Sequence, residues 1–488
     1  MSEPLVIFGL DAADPDLILN WAREGSLPTI ASILERGTWA RLAGREMISV
    51  HGVWTSFFSG VSIRDHGRYL ARPLYPGTYD LREIHPRDFS ARPFWADSRR
   101  ALMTVDVPDS RPFRDLSGVQ LTNWGDHPTS APPEALPEGL LSEIRAAVGE
   151  RIATDERPGT RRRDHRTLAQ ILRRVERKGA LCRHLLAKGP FDLVVVVFGD
   201  CHAAGHRFRK YQQATADARA GGELRDAVRR TYAAVDRELA RLLEGLPEPP
   251  NVFVASNSGI VDGYPVGDLM QSFCRKLGYH AAIDPSSAFG KTQALARSLA
   301  AVWRSPASGL LPEGTDWART VAFAIPAYYT GYVRVNLEGR EPLGIVKPGA
   351  EYNALVERLK ADFLELADAE TGEAVIERVT SVAELFGGGP PLRLPDLLVD
   401  WRHSALQSGR VAHPRALLVE RRRRRPRGNH HSGSGLLLAA GPSIQSRCLA
   451  GEFSPMDFAP LFRALLGEPP GKRSPGDAIE AFMRIPSN

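Results

Sequence analysis

Cysteine is scarce in this chain. Its 488 residues include four cysteines: Cys182, Cys201, Cys274 and Cys448. Disulfide frameworks and zinc ribbons need cysteines in close pairs or at regular spacings, whereas these four are scattered. The sequence therefore argues against both, and we expect a protein of a reducing compartment, the cytoplasm.

Long apolar runs are also lacking. No uninterrupted apolar stretch approaches the roughly 20 residues of a membrane helix. Met1-Ser2-Glu3 leads directly into an apolar strand-like run, which leaves no room for the basic region and apolar segment of a secretory leader. We therefore expect a soluble cytoplasmic protein with no membrane partner.

The sequence contains no nucleic-acid-binding motif, so we expect no nucleic-acid partner. It contains no internal repeat, and it does not indicate an oligomeric state. The net charge of +6 is modest for this length, but arginines cluster at 161–163, 173–174 and 421–425. Such clusters are most simply solvated loops and helix faces. Alternatively, Arg425 and Arg427 bind an anionic substrate, because both lie a few residues before a histidine pair.

Length and pattern predict the architecture. The chain exceeds the roughly 250 to 300 residues that usually share one core. Apolar strand-like runs alternate with helical patterns, which favours a doubly wound α/β fold with a mostly parallel central sheet flanked by helices. We expect residues 1–265 and 385–488 to form this core and residues 265–385 to form an inserted cap subdomain.

Acidic and histidine side chains occur beside three of the strand-like runs. Asp11 follows the run 4–10, His202 and His206 follow the run 191–200, and His431 precedes the run 436–440. Imidazole and carboxylate groups are common zinc ligands, so these side chains are candidates for a metal site. In the simpler alternative, Asp11 is a helix cap or a turn residue.

The order of these segments resembles the alkaline phosphatase superfamily, and within it the type I phosphodiesterase and nucleotide pyrophosphatase branch. The segments Trp54 to Gly60, His66-Gly67 and Gly331 to Pro342 add to the resemblance, which covers nearly the whole chain. The resemblance implies an alkaline-phosphatase-like fold. It also implies a metal-dependent hydrolase or group transferase that acts on a phosphate, phosphonate or sulfate ester, with a small anionic substrate.

Two departures from the family pattern affect the chemistry. The position of the usual Ser or Thr nucleophile falls on Val50, so the adjacent Ser49 is the candidate nucleophile, with His51 nearby. Asn257 and Ser258 stand where the family has an Asp and a His that bind a second metal. Without two metals, a single metal-bound water is the alternative attacking group.

The resemblance places the metal ligands at Asp11, His202, His206 and His431. A three-histidine set is a known catalytic zinc arrangement with an open fourth position, so we predict one zinc or another divalent transition metal per chain. Asp200, His430 and His51 are predicted to orient these ligands or to join them. The alternative function is a catalytically inactive relative that binds an anionic ligand or a protein partner.

Overall fold

The computed structural model describes residues 3–88, 91–125, 131–154, 159–212, 222–262, 266–283, 309–310, 314–327, 329–402, 404, 406, 409–419, 429–469, 471 and 476–483. Contacts divide the chain into two compact units. The first comprises residues 1–66, 85–261 and 431–488, and the second comprises residues 67–84 and 262–430.

The described strands are β1 (Leu5–Leu10), β2 (Thr38–Leu42), β3 (Asp80–Leu81), β4 (Leu102–Val105), β5 (Gly118–Thr122), β6 (Glu134–Leu136), β7 (Leu193–Phe198), β8 (Asn251–Ser256), β9 (Ile260–Val261), β10 (Gly309–Leu310), β11 (Ala322–Ile325), β12 (Gly331–Val335), β13 (Ala367–Asp368), β14 (Ile376–Ser381), β15 (Leu397–Trp401), β16 (Arg410–His413), β17 (Ala416–Val419), β18 (His430–His431), β19 (Gly435–Ala440) and β20 (Arg447–Phe453).

The described α-helices are α1 (Pro15–Arg23), α2 (Pro28–Arg36), α3 (Val50–Ser59), α4 (Ile63–His66), α5 (Leu140–Val148), α6 (Arg161–Leu186), α7 (Asp200–Gln212), α8 (Ala227–Glu244), α9 (Gly267–Lys276), α10 (Ala350–Leu364), α11 (Val382–Phe386), α12 (Phe458–Leu465) and α13 (Gly476–Phe482). Among the described residues, no helix combines the length and the apolar character needed to cross a bilayer.

A nine-stranded sheet organises the first unit, in the order β20-β2-β19-β8-β1-β7-β4-β5-β6. Its centre, β8-β1-β7-β4-β5, is entirely parallel. Strand β19 runs antiparallel to both of its neighbours, and β6 runs antiparallel to β5. The predicted α/β fold with a large, mostly parallel central sheet is therefore confirmed.

Helices cover both faces of this sheet. All six residues of β1 are buried, as expected for a central parallel strand with helices on both sides. Val6 and Phe8 join an apolar cluster that includes residues of α1, α2, α6, α7 and α8, whereas Leu5 and Ile7 join a second cluster with residues of α3 and α12. Alternate side chains of one strand thus enter two separate cores.

The second unit has its own sheets and its own apolar cluster. An antiparallel sheet has the order β11-β12-β15-β14, and a smaller one has the order β13-β16-β17. This assignment differs from the expected bounds, because residues 67–84 and 386–430 belong to the second unit. Strand β15, which was expected to return to the core, pairs with β12 and β14 instead. A cap role for this unit stays a prediction.

A buried ion pair lies at the carboxyl end of β4. Asp106 accepts hydrogen bonds from the backbone N–H groups of Trp124 and Gly125, at 2.7 and 3.1 Å. The Lys178 ammonium on α6 lies 2.8 Å from Asp106 Oδ2, and both side chains are almost completely buried. Lys178 also donates to the carbonyl of Val197 in β7, so the pair links a loop, a helix and a strand.

We predict that Asp106→Ala lowers the free energy of unfolding of the first unit by about 3–5 kcal/mol, because it leaves the Lys178 charge buried without its carboxylate. Urea unfolding measures the change. The control is Glu150→Ala, which removes the exposed partner of Arg145 and is expected to cost less than about 1 kcal/mol. Equal effects of the two variants would contradict the prediction.

Candidate metal centre

The candidate residues meet at one edge of the central sheet. Strands β8, β1 and β7 are parallel neighbours, so their carboxyl ends lie together, and Asp11, His202 and Asn257 follow those ends. Strand β19 is antiparallel to β8, so its beginning lies at the same edge. His431, shortly before Gly435, is therefore delivered to this edge from the other end of the chain.

His202 and His206 lie on helix α7, although the buried strand-like run before them predicts a loop at this place. Only Gly199 separates the end of β7 from the first helical residue, Asp200. An acidic residue in the first turn stabilises a helix amino terminus, which explains the early start. Residues four apart on a helix lie on the same face, so both imidazoles are directed towards one place.

Three imidazoles converge at the sheet edge. One candidate ligand nitrogen from each of His202, His206 and His431 lies within 4.8 Å of the others. The ring centroids are 4.6 to 5.0 Å apart, and the Nε2 atoms of His206 and His431 are 3.3 Å apart. We call these three residues the histidine cluster. The predicted convergence of the three side chains is what the structure shows.

The second ring nitrogen of two of these histidines has a polar partner. His202 Nδ1 lies 3.0 Å from Asp11 Oδ2, and His431 Nδ1 lies 3.3 Å from Ser258 Oγ. Histidines that bind a metal usually give their other ring N–H to such a partner, which leaves Nε2 for the metal. The cluster therefore fits a divalent metal with nitrogen ligands.

Electrostatics favour neutral imidazole at His431. Burial holds the pKa of His431 well below its usual value, and the nearby His202 and His206 lower it further. His51 also lowers the pKa of His431, whereas the Asp11 carboxylate opposes the shift. A neutral imidazole has a lone pair that a metal ion can accept, so burial prepares this side chain for coordination.

Asp11 contacts the histidine cluster through His202. Its Oδ2 atom faces His202, and its Oδ1 atom accepts a hydrogen bond of 2.6 Å from the indole Nε1 of Trp54. Asn257, which stands where the family has a metal-binding Asp, accepts a hydrogen bond of 2.8 Å from the backbone N–H of Ala12. These contacts favour a supporting role for Asp11, and its role as a metal ligand stays a prediction.

Asp200 lies at the beginning of α7, but its carboxylate contacts the neighbouring helix. Arg174 Nε donates a hydrogen bond of 2.6 Å to Asp200 Oδ1, and both side chains are buried. This ion pair ties α7 to α6. The predicted orienting role of Asp200 would therefore act through the position of the helix.

Ser49, Val50 and His51 lie at the amino terminus of α3. Strand β2 is antiparallel to β19, so β2 ends at the edge that carries the histidine cluster, and the chain continues from there towards α3. Ser49 is the extended N-cap residue and is buried, whereas His51 is exposed. The nucleophilic role of Ser49 stays a prediction.

The remaining candidates lie elsewhere or outside the described residues. The ring of His430 stacks on Tyr329 within the second unit, with centroids 5.3 Å apart. Burial lowers the pKa of His430. The contact described for His430 is thus with an aromatic ring, whereas its neighbour His431 contacts His206 and Ser258. Arg425 and Arg427 lie outside the described residues.

Sequence reasoning missed two contributors to the centre. The sequence indicates Trp54 only as part of the family segment Trp54 to Gly60, and Ser258 only as a position where the family has a metal-binding His. Trp54 donates a hydrogen bond to Asp11, which in turn contacts His202. Ser258 faces His431 of the histidine cluster directly. No local pattern identifies such partners, because each lies far along the chain from the group that it contacts.

Comparisons with known proteins identify the fold and the family. Two solved structures of phosphonoacetate hydrolase from Sinorhizobium meliloti 1021 are similar, one in complex with phosphonoacetate and one with phosphonoformate. Each comparison covers 95% of this chain and 95% of the solved chain, with TM-scores of 0.53 and 0.52 at 14% and 15% identity. At this identity the likeness shows a shared fold, which is the alkaline-phosphatase-like fold.

No curated protein matches the sequence. The family model for type I phosphodiesterase / nucleotide pyrophosphatase matches residues 5–403, which is most of the chain and includes every strand of the parallel centre of the sheet. The family resemblance is therefore confirmed. The chain belongs to the type I phosphodiesterase/nucleotide pyrophosphatase family, within the alkaline phosphatase superfamily.

Proposed function

We propose that this protein is a metal-dependent hydrolase or group transferase that acts on a phosphate, phosphonate or sulfate ester. The observation that carries the proposal is the histidine cluster, His202, His206 and His431, at the carboxyl edge of the parallel sheet. We propose that the cluster holds one zinc or another divalent transition metal. Such an ion acts as a Lewis acid and lowers the pKa of a bound water to about 7.

The side chains around the cluster have distinct proposed roles. Asp11 and Ser258 orient His202 and His431 through the ring nitrogens that face away from the metal. Because Val50 has no nucleophilic group, the attacking oxygen comes either from water or from Ser49. Asn257 and Ser258, at the family's second metal position, contact the Ala12 backbone and His431 instead, which favours one metal over two.

A small anionic substrate suits this centre. A divalent metal with neutral imidazole ligands keeps its positive charge, so it attracts phosphate, phosphonate or sulfate oxygens. The Sinorhizobium meliloti enzyme that shares the fold binds phosphonoacetate and phosphonoformate in its solved structures. Phosphonates therefore belong in the first set of substrates to be tested.

A second candidate function is a non-catalytic relative that binds an anionic ligand or a protein partner. Val50 at the nucleophile position and Asn257 at a metal position favour it. In that case the histidine cluster binds a metal or an anion without turnover. The two functions differ in turnover on an ester panel, and metal content does not separate them.

A cytoplasmic location is part of the proposal. Cys182, Cys201 and Cys274 are buried free thiols. Burial raises the pKa of the Cys182 and Cys274 thiols to about 12, so both stay protonated and unreactive. Unpaired thiols of this kind are typical of reducing compartments.

We predict about one zinc or similar metal per chain in protein purified without chelator, measured by elemental analysis. His431→Ala should lose this metal, because it removes one of three ligands. His430→Ala is the matched control, since the adjacent His430 stacks on Tyr329, and it should keep the metal. Two tightly held metals, or equal loss from both variants, would contradict the one-metal site.

We predict that His431→Ala reduces the hydrolytic activity to background, because it removes a metal ligand, and that Ser49→Ala retains most of the activity if water is the attacking group. The substrate comes from a screen of phosphate monoesters, phosphate diesters, phosphonates and sulfate esters with metal-loaded protein. Loss of activity in both variants would make Ser49 the nucleophile. Metal-loaded protein that turns over no ester in the panel would support the non-catalytic alternative.

A further inference from the structure

We propose that Trp54 is a positioning residue for the metal centre, and that it acts through Asp11 on His202. The inference rests on the proposed function, because it assumes that the histidine cluster binds a metal. The indole N–H donates to one oxygen of Asp11, and the other oxygen accepts from the His202 ring. This chain of hydrogen bonds selects the ring nitrogen that His202 offers to the metal.

The distances define a continuous path. Trp54 Nε1 lies 2.6 Å from Asp11 Oδ1, and Asp11 Oδ2 lies 3.0 Å from His202 Nδ1. All three residues are largely buried, with 3%, 4% and 9% of their surfaces exposed. Water therefore competes little for these hydrogen bonds, and each is stronger than at an exposed site.

Packing fixes the indole in its donating position. Trp54 stacks on Phe58 with ring centroids 5.6 Å apart, and the edge of Phe57 packs against it at 5.8 Å. On the other side, a Cβ atom added to Gly9 of β1 would lie 3.1 Å from Trp54 Cη2. Gly9 thus leaves room for the indole between α3 and the central strand.

The chemistry of the three groups gives the path its direction. An indole N–H is a donor only and an ionised carboxylate is an acceptor only, so Asp11 must accept from both of its neighbours. The His202 proton is therefore held on Nδ1, and the lone pair of Nε2 is available to a metal. Through its contact with Nδ1, Asp11 acts on the centre by way of His202.

The test measures zinc affinity by competition with a chromogenic chelator. Trp54→Phe removes the donor and keeps an aromatic ring, and we expect zinc binding to weaken about tenfold, as for other outer-shell partners. Asp11→Asn should weaken it at least as much, because an amide N–H facing Nδ1 would move the His202 proton to Nε2. In the double variant the two losses should not add, since both break the same path.

A second readout separates positioning from packing. Cobalt(II) replaces zinc, and its visible spectrum reports the ligand geometry. We expect the spectrum of Trp54→Phe to change. Phe462→Leu removes a ring of the same apolar cluster that packs on Phe57, and it should keep the wild-type spectrum and zinc affinity. Circular dichroism establishes that each variant is folded.

The outcomes are distinguishable. Wild-type zinc affinity in folded Trp54→Phe, or an equal loss in Phe462→Leu, would overturn the positioning role and leave the proposed function intact. If Trp54→Phe does not fold, zinc affinity is measured in the isosteric variant Asp11→Asn instead. Wild-type zinc affinity in that variant would also overturn the inference. A wild-type protein that binds no zinc would overturn both the inference and the proposed metal site.

Discussion

The candidate centre depends on the pairing of one antiparallel strand with a parallel sheet. Strand β19 pairs with β8, from Leu436 opposite Ser256 to Ala440 opposite Val252. This register brings the chain before Gly435 to the edge where β1, β7 and β8 end. Without it, His431 would lie away from His202 and His206, and the pair on α7 alone would be a weak metal site.

Burial of polar groups at this edge explains the supporting contacts. A buried ionised group needs partners that offset its lost hydration. Asp106 has Lys178, Asp200 has Arg174, and Asp11 has Trp54 and His202. Each of these buried carboxylates thus has a partner that offsets the cost of its burial.

The departures from the family pattern have a structural counterpart. Asn257 accepts a hydrogen bond from the Ala12 backbone, and Ser258 faces a ring nitrogen of His431. Residues at the second metal position of the family pattern thus support the loop after β1 and one histidine of the cluster. The substitutions are consistent with one another, which favours a reorganised centre over random loss of ligands.

The sequence by itself determined the α/β fold, the family and the three histidines, because strand-like runs and the ligands beside them are local patterns. It indicated Trp54 only as part of a family segment, assigned β15 to the core and predicted that His430 supports or joins the ligand His431. Tertiary structure decided these points. Hydrogen bonds such as Trp54 to Asp11 join residues whose spacing follows no local periodicity, and two adjacent histidines acquire different partners only when the surrounding chain is folded.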